Sequence, residues 1–175
     1  QTHRRPGTIA RGMRRAMDAF VAGGRVVDDM TMLVLQAPSV GALHEWRLEL
    51  PRALDRLSEL RRFVMERGAA GGLSDERAAA LALAAVELAS NAIRHCGEVV
   101  QDPLEIMLQA DRQACRLELL YLGPRFTPPA LLEPDFSGHS EGGFGLYIIR
   151  ESCDAVDYSH ADGINRVVLT KRLTA

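Results

Sequence analysis

Ala84-Ala85-Val86-Glu87-Leu88-Ala89-Ser90-Asn91-Ala92-Ile93-Arg94-His95 is the stretch that decides how the rest of the chain is read. It sits inside a run of strong helix formers over residues 74–96. At 3.6 residues per turn, Glu87, Asn91 and His95 (i, i+4, i+8) share one stripe, while Leu83, Val86, Leu88 and Ile93 face mostly elsewhere. A carboxylate, a carboxamide and an imidazole therefore line one side of an otherwise apolar helix. Oxygen ligands of this kind suit a hard cation, and a fixed carboxylate suits activation of a hydroxyl. Three polar residues on a helix also describe a solvated face. What separates the two readings is a second element downstream, Glu141-Gly142-Gly143-Phe144-Gly145-Leu146-Tyr147-Ile148-Ile149-Arg150.

Working outward, the 175 residues, 47% of them hydrophobic, suffice for one domain with its own core plus an appendage. A net charge of -2 gives no electrostatic attraction to nucleic acid or anionic lipid. Cys96, Cys115 and Cys153 are scattered without CxxC spacing, which fits reduced thiols rather than a disulfide frame or zinc site. No apolar run approaches the ~20 residues of a membrane span, and no signal-peptide pattern opens the chain. The expected location is cytoplasmic, without membrane or nucleic-acid partners. The chain opens on Gln1 rather than Met, so a fragment of a longer protein is expected.

Residues 1–40 differ from the remainder. Thr8 caps a predicted helix to about residue 21 carrying Met13, Met17 and Phe20, Gly23-Gly24 stops it, and residues 30–35 read as a strand. One helix and one strand make no core alone. Ala37-Pro38-Ser39-Val40-Gly41 reads as a linker. A strand is expected over 46–50. Pro51 then opens a helix whose apolar stripe is Leu54, Leu57, Leu60, Phe63 and Val64, with Gly68 near its end. Gly71-Gly72-Leu73 is a loop, and Ser74 caps the central helix. A strand pair over 104–108 and 116–120 turns at residues 111–113. Residues 123–142, rich in Pro and Gly, read as a long loop or lid. A helix over 143–153 and strands over 155–160 and 166–173, turning at Asp162-Gly163, complete the pattern. The expected fold class is a two-layer α/β sandwich: a mixed sheet with helices on one face and the other face open to a partner.

Glu87-x-x-x-Asn91-Ala92-x-Arg94-His95, then Gly123-Pro124-x-Phe126, then Gly143-Phe144-Gly145-Leu146 resembles the GHKL ATPase superfamily, most closely the RsbW/SpoIIAB-like anti-sigma factor serine kinases. The resemblance covers about residues 42–173. It implies ATP and Mg²⁺ as cofactors, with Asn91 holding Mg²⁺ against the phosphates and Glu87 as general base for an attacking serine. It places Gly142, Gly143, Gly145 and Leu146 around the phosphates and Gly123 at the start of the lid. Arg94 and His95 would lie toward the phosphates or the lid; read from the residues alone, Arg94 is equally a surface charge and His95 a partner of a backbone carbonyl. The family's partners are a STAS-type anti-sigma factor antagonist, which it phosphorylates, and a sigma or anti-sigma factor; relatives pair as dimers, so a homodimer is expected.

The chain departs from that pattern at one place. The family carries Asp-x-Gly at the end of the strand before the lid, its Asp receiving the adenine amino group, whereas this chain reads Tyr121-Leu122-Gly123. Loss of a charge-assisted hydrogen bond costs about 1.5–3 kcal/mol. Two functions follow: an ATP-dependent serine kinase, favoured by Glu87 and Asn91, or a nucleotide-deficient binding module of the same fold, favoured by Tyr121. A sensor histidine kinase is disfavoured, because no phosphoacceptor-His helical hairpin precedes the domain. Asp28-Asp29-Met30-Thr31 before an apolar strand resembles the last strand of PPM-type (SpoIIE/RsbU-like) serine/threonine phosphatase domains, which would make Asp28 a metal ligand of an incomplete site. The domain reading is therefore a phosphatase remnant over 1–37, a linker over 38–42 and a GHKL domain over 43–175.

Overall fold

The computed structural model describes residues 12, 13, 15, 44–95, 102–128 and 144–174. The chain divides into two compact units, residues 1–40 and 41–175. In the first, Gly12, Met13 and Arg15 are helical. The rest of the helix expected over 8–21, the strand over 30–35 and Asp28 lie outside the described residues.

In the second unit the alternating stretch after the linker forms β1 (His44–Leu50). Two helices follow, α1 (Leu57–Ala70) and α2 (Asp75–His95). Next come β2 (Leu104–Ala110) and β3 (Ala114–Leu122), then α3 (Phe144–Ser152), β4 (Ala155–Ala161) and β5 (Ile164–Arg172). The five strands make one sheet in the order β1-β2-β3-β5-β4. Every neighbouring pair is antiparallel, so the sheet is not mixed as expected. The reason lies in the connections. Two helices, each reversing the chain, join β1 to β2, so those strands run oppositely. One helix joins β3 to β4, which makes them parallel, but β5 inserts between them and opposes both.

Local chemistry sets the element ends. Ser74 Oγ accepts the amide of Arg77 (3.3 Å), capping α2 as its position predicts. Asp111 Oδ1 accepts the amides of Gln113 (2.7 Å) and Ala114 (2.9 Å), fixing the β2–β3 turn. Asp162 and Gly163 take φ of 54° and 76°, as a two-residue hairpin turn of the primed type requires. The expected helix at Pro51 is displaced: a single 3₁₀ turn spans Leu54–Arg56, and α1 begins only at Leu57. Arg52 explains the delay. Its side chain is bonded to the carbonyls of Asp102 and Leu122, drawing residues 51–53 across the ends of β2 and β3 before the helix can start. Leu54, expected in the apolar stripe, consequently stays exposed.

Leu60 and Val64 of α1, Leu81, Ala82, Ala85, Leu88 and Ala89 of α2 and Ile149 of α3 bury against Leu50, Ile106, Leu108, Leu117, Leu119, Val167 and Leu169 of the sheet. Small residues bring the elements close. A Cβ on Gly71 would lie 2.8 Å from both Ala110 Cβ and Cys115 Sγ, where the end of α1 meets the β2–β3 hairpin. The opposite sheet face carries the in-register row Arg47, Met107, Glu118 and Val168, with Arg166 bonded to Glu118 (3.3 Å). Burial pushes the thiols of Cys115 and Cys153 up to about 11 and about 12.

Two measurements test this packing. Gly71→Ala has to displace Ala110 or Cys115, and should lower unfolding free energy in urea by about 1–3 kcal/mol; an unchanged midpoint would contradict the contact. Cys115 should remain unlabelled by a thiol reagent at pH 8 until the protein unfolds, since only ~0.1% of it would be thiolate there; rapid labelling of Cys115 in the native state would contradict its burial.

Candidate functional site

The site forms at the end of the sheet where β1 and β3 terminate and β2 and β5 begin. The last turns of α2 reach the same end, because the chain passes from His95 to Leu104 there. Along α2, Glu87 and Asn91 are half-buried, Ser90 is buried, and Arg94 and His95 are exposed in the final turn, where the helix dipole favours cations. Leu83, expected to face elsewhere, lies on the same stripe one turn before Glu87 and is 48% exposed. The polar stripe thus has an apolar extension toward the helix start.

Helix α3 abuts this stripe. A Cβ on Gly145 would lie 3.1 Å from Glu87 Oε2, 3.4 Å from Asn91 Nδ2 and 3.8 Å from Asn91 Oδ1. The first turn of α3 therefore rests against the carboxylate and carboxamide, and a side chain at the contact would crowd Glu87. Two motifs far apart in sequence meet here, as their reading as one site requires. Leu146 is partly buried against the core. Gly142 and Gly143 lie outside the described residues.

At the end of β3, Tyr121 points to the helix side and joins the core at 5% exposure. The guanidinium of Arg52 lies 6.0 Å from the Tyr121 ring centre, its Nε donating to Asp102 O and its Nη2 to Leu122 O, both at 2.7 Å. Directly across the ladder from Tyr121 stands Asn165, 2% exposed. Its Nδ2 donates to Pro124 O (2.8 Å) and lies 3.4 Å from Gly123 O, while its Oδ1 accepts the amide of Phe126 (2.8 Å). With Oδ1 committed as acceptor, His160 Nδ1 at 3.1 Å must be the protonated ring nitrogen. Gly123 N donates to Gly163 O (3.0 Å), and the Phe126 ring packs on Tyr158 (5.7 Å). Burial raises the Tyr158 phenol above its ordinary value. The segment 123–126 is thus pinned to β5 by one carboxamide.

Of the residues singled out in the sequence, the structure brings Glu87, Asn91 and Gly145 together and sets Tyr121 and Gly123 at the end of β3; Arg52 and Asn165, which hold the strand ends beside them, were not singled out. Asn165 left a signal, as a polar residue at an inward position of an apolar strand. Arg52 left none, since an arginine after a strand-ending proline is ordinary. Among the described residues no group of three or more His, Cys, Asp or Glu side chains could hold a metal ion. Nor is any described helix long and apolar enough to cross a membrane.

An antiparallel sheet covered on one face by helices, with a carboxylate–carboxamide stripe packed against the first turn of a glycine-bearing helix, is a two-layer α/β sandwich of GHKL architecture. The chain belongs to the Histidine kinase-like ATPase domain family, whose pattern matches residues 50–171. Among solved structures it is similar to the RsbU and RsbW domains of a Mycobacterium tuberculosis protein, at 17% identity and a TM-score of 0.53, covering 74% of this chain and 32% of that one. It thus spans about a third of that chain's length. The histidine kinase domain of a blue-light activated histidine kinase from Erythrobacter litoralis aligns at 15% identity and a TM-score of 0.41, over 71% of this chain and 62% of that one. A comparison with curated proteins finds no match.

Asn165→Leu should release segment 123–126. The expected result is a loss of about 1–3 kcal/mol in stability and faster hydrogen exchange at the Phe126 amide; unchanged exchange at Phe126 would contradict the clamp.

Proposed function

We propose that this chain is a protein serine kinase domain of RsbW type, which uses a nucleoside triphosphate, ATP in its family, with Mg²⁺ to phosphorylate a STAS-type anti-sigma factor antagonist in a bacterial partner-switching pathway. The observation that carries the reading is the fit of Gly145 against Glu87 and Asn91, which puts a hard oxygen donor, a carboxylate and a helix N-terminus around one cleft.

The donor set fits the metal. Mg²⁺ keeps several waters and takes few protein ligands beside substrate phosphates, so the single carboxamide oxygen of Asn91 suffices. When bound, Mg²⁺ would neutralise charge on the phosphates. Glu87 would accept the proton of the attacking seryl hydroxyl, its carboxylate held by α2 against α3. Amides at the start of α3, with Gly142 and Gly143 before it, would face the phosphates. Arg94 and His95 would add positive charge at the exposed end of α2.

Residues 1–37 are read as the remnant of a PPM-type phosphatase, Asp28 being one metal ligand of an incomplete site, and 38–42 as the linker. The M. tuberculosis chain similar in fold carries RsbU and RsbW domains together, which supports such an arrangement. A cytoplasmic homodimer that also sequesters a sigma or anti-sigma factor completes the proposal. A second reading has its own observation: with Tyr121 in the core where the family has Asp, the domain would bind its partner without phosphorylating it.

The test is transfer of labelled γ-phosphate to STAS-type proteins encoded beside this chain, with binding measured in parallel. Glu87→Gln should lower transfer by about 10²–10⁴ while leaving nucleotide affinity within about twofold, and Asn91→Ala should lower Mg²⁺-dependent affinity at least about tenfold. Partner binding with no transfer and no nucleotide affinity would establish the second reading instead.

A further inference from the structure

We propose that two copies of this chain join edge to edge through β4, antiparallel about a two-fold axis at Tyr158, so that their sheets continue into one. The inference rests on the homodimer in the function proposed above and names its interface; the contact of α3 with Glu87 and Asn91 plays no part in it.

The order β1-β2-β3-β5-β4 leaves β1 and β4 as the two edges of the sheet. A sheet edge carries backbone donors and acceptors that another strand can use, and chains guard it with charge, proline or a bulge. Edge β1 is guarded, with Glu45, Arg47 and Glu49 alternating along it. Edge β4 bears one carboxylate, Asp157, and no lysine, arginine or proline, and it pairs with β5 residue for residue without a bulge.

The groups that β4 offers follow from its hairpin. Ala161 and Ile164 close the two-residue turn at Asp162-Gly163, and the pair that closes such a turn exchanges both backbone bonds. The 3.0 Å bond from Gly123 N to Gly163 O agrees, because it directs Gly163 toward β3 and so Ile164 toward β4. Alternation then commits Ala161, Ser159, Asp157 and Ala155 to β5. The N–H and C=O groups of Val156, Tyr158 and His160 are left pointing out of the sheet.

A second β4 satisfies all of these groups in one register. About an axis at Tyr158, that residue bonds its own copy, and Val156 bonds the second copy's His160, twice by symmetry. Between them, on the sheet face away from the helices, Asp157 stands opposite the second copy's Ser159. That is a non-hydrogen-bonded position, where side chains come closest and the hydroxyl can donate to the carboxylate. Both residues are exposed in the single chain, and no like charges meet. On the helix side Val156 and Tyr158 are only partly buried against the core, and the second strand would cover more of them. The register is selected as well. A slip of two residues one way sets Asp157 against its own copy, and the other way leaves Val156 opposite the turn.

Sedimentation equilibrium and amide hydrogen exchange on the unaltered chain decide the matter. The chain should dimerise, and the amides of Val156, Tyr158 and His160 should exchange at least about tenfold more slowly in the dimer than at concentrations where it dissociates. Val156→Pro removes an outward N–H while leaving the bonds to β5, and should raise the dimer dissociation constant at least about tenfold. Val156→Ala keeps that N–H and should stay within about threefold of the unaltered chain. A dimer whose three amides exchange as fast as in the monomer, or one indifferent to Val156→Pro, would overturn the inference while leaving the homodimer standing. A chain that stays monomeric up to about 1 mM would overturn both. The exchange measurement needs no substitution, so it decides even if Val156→Pro fails to fold.

Discussion

The absence of a side chain at Gly145 is the constraint on which the cleft depends. With only a hydrogen there, the first turn of α3 lies directly against Glu87 and Asn91; a methyl group at this position would sit 3.1 Å from Glu87 Oε2, so that carboxylate would have to give way by a few tenths of an ångström. The approach has two consequences. It limits how Glu87 and Asn91 can turn, so their oxygens are held rather than waving in solvent. It also brings the backbone amides that begin α3 beside those oxygens, joining donors and acceptors in one place. Neither helix would form such a cleft alone, since α2 carries the acids and amides while α3 carries the glycine.

The remainder of the fold holds the strand ends that floor this cleft. Arg52 ties the exit of β1 to the carbonyls of Asp102 and Leu122, and Asn165 ties the exit of β3 to β5. Both use side chains to satisfy backbone groups where the ladder stops, which is where a sheet otherwise leaves them open. The core beneath is conventional, with leucines from the sheet meeting alanine-rich α2 at close range. That closeness follows from the small residues themselves: Ala82, Ala85 and Ala89 leave little between the helix backbone and the strands.

Much of this was legible in the sequence, and what was not has physical reasons. The long helix, its Ser74 cap, both hairpin turns and all five strands followed from periodicity and turn chemistry, because each is settled by neighbours within a few residues. The mixed sheet was wrong because strand neighbours depend on where a later strand inserts, and β5 entering between β3 and β4 leaves no mark on its own residues. The start of α1 was misplaced for a similar reason: Pro51 is a good first helical residue, but Arg52 bonds to carbonyls fifty and seventy positions away. Glu87 and Asn91 were legible as one helical stripe from their spacing, and Gly145 as part of a glycine motif. Leu83 was not, because an apolar residue on a polar stripe looks like a core position until its neighbours are placed.

The account's central claim is that Asn91 and Gly145 are two walls of one triphosphate site. Nuclear magnetic resonance observes both at once, through the Asn91 side-chain NH₂ and the Gly145 backbone amide, during titration with Mg²⁺ and inorganic triphosphate. The account predicts that both signals shift together and saturate with a single dissociation constant. Shifts confined to other parts of the chain, with these two signals unmoved at saturation, would contradict it.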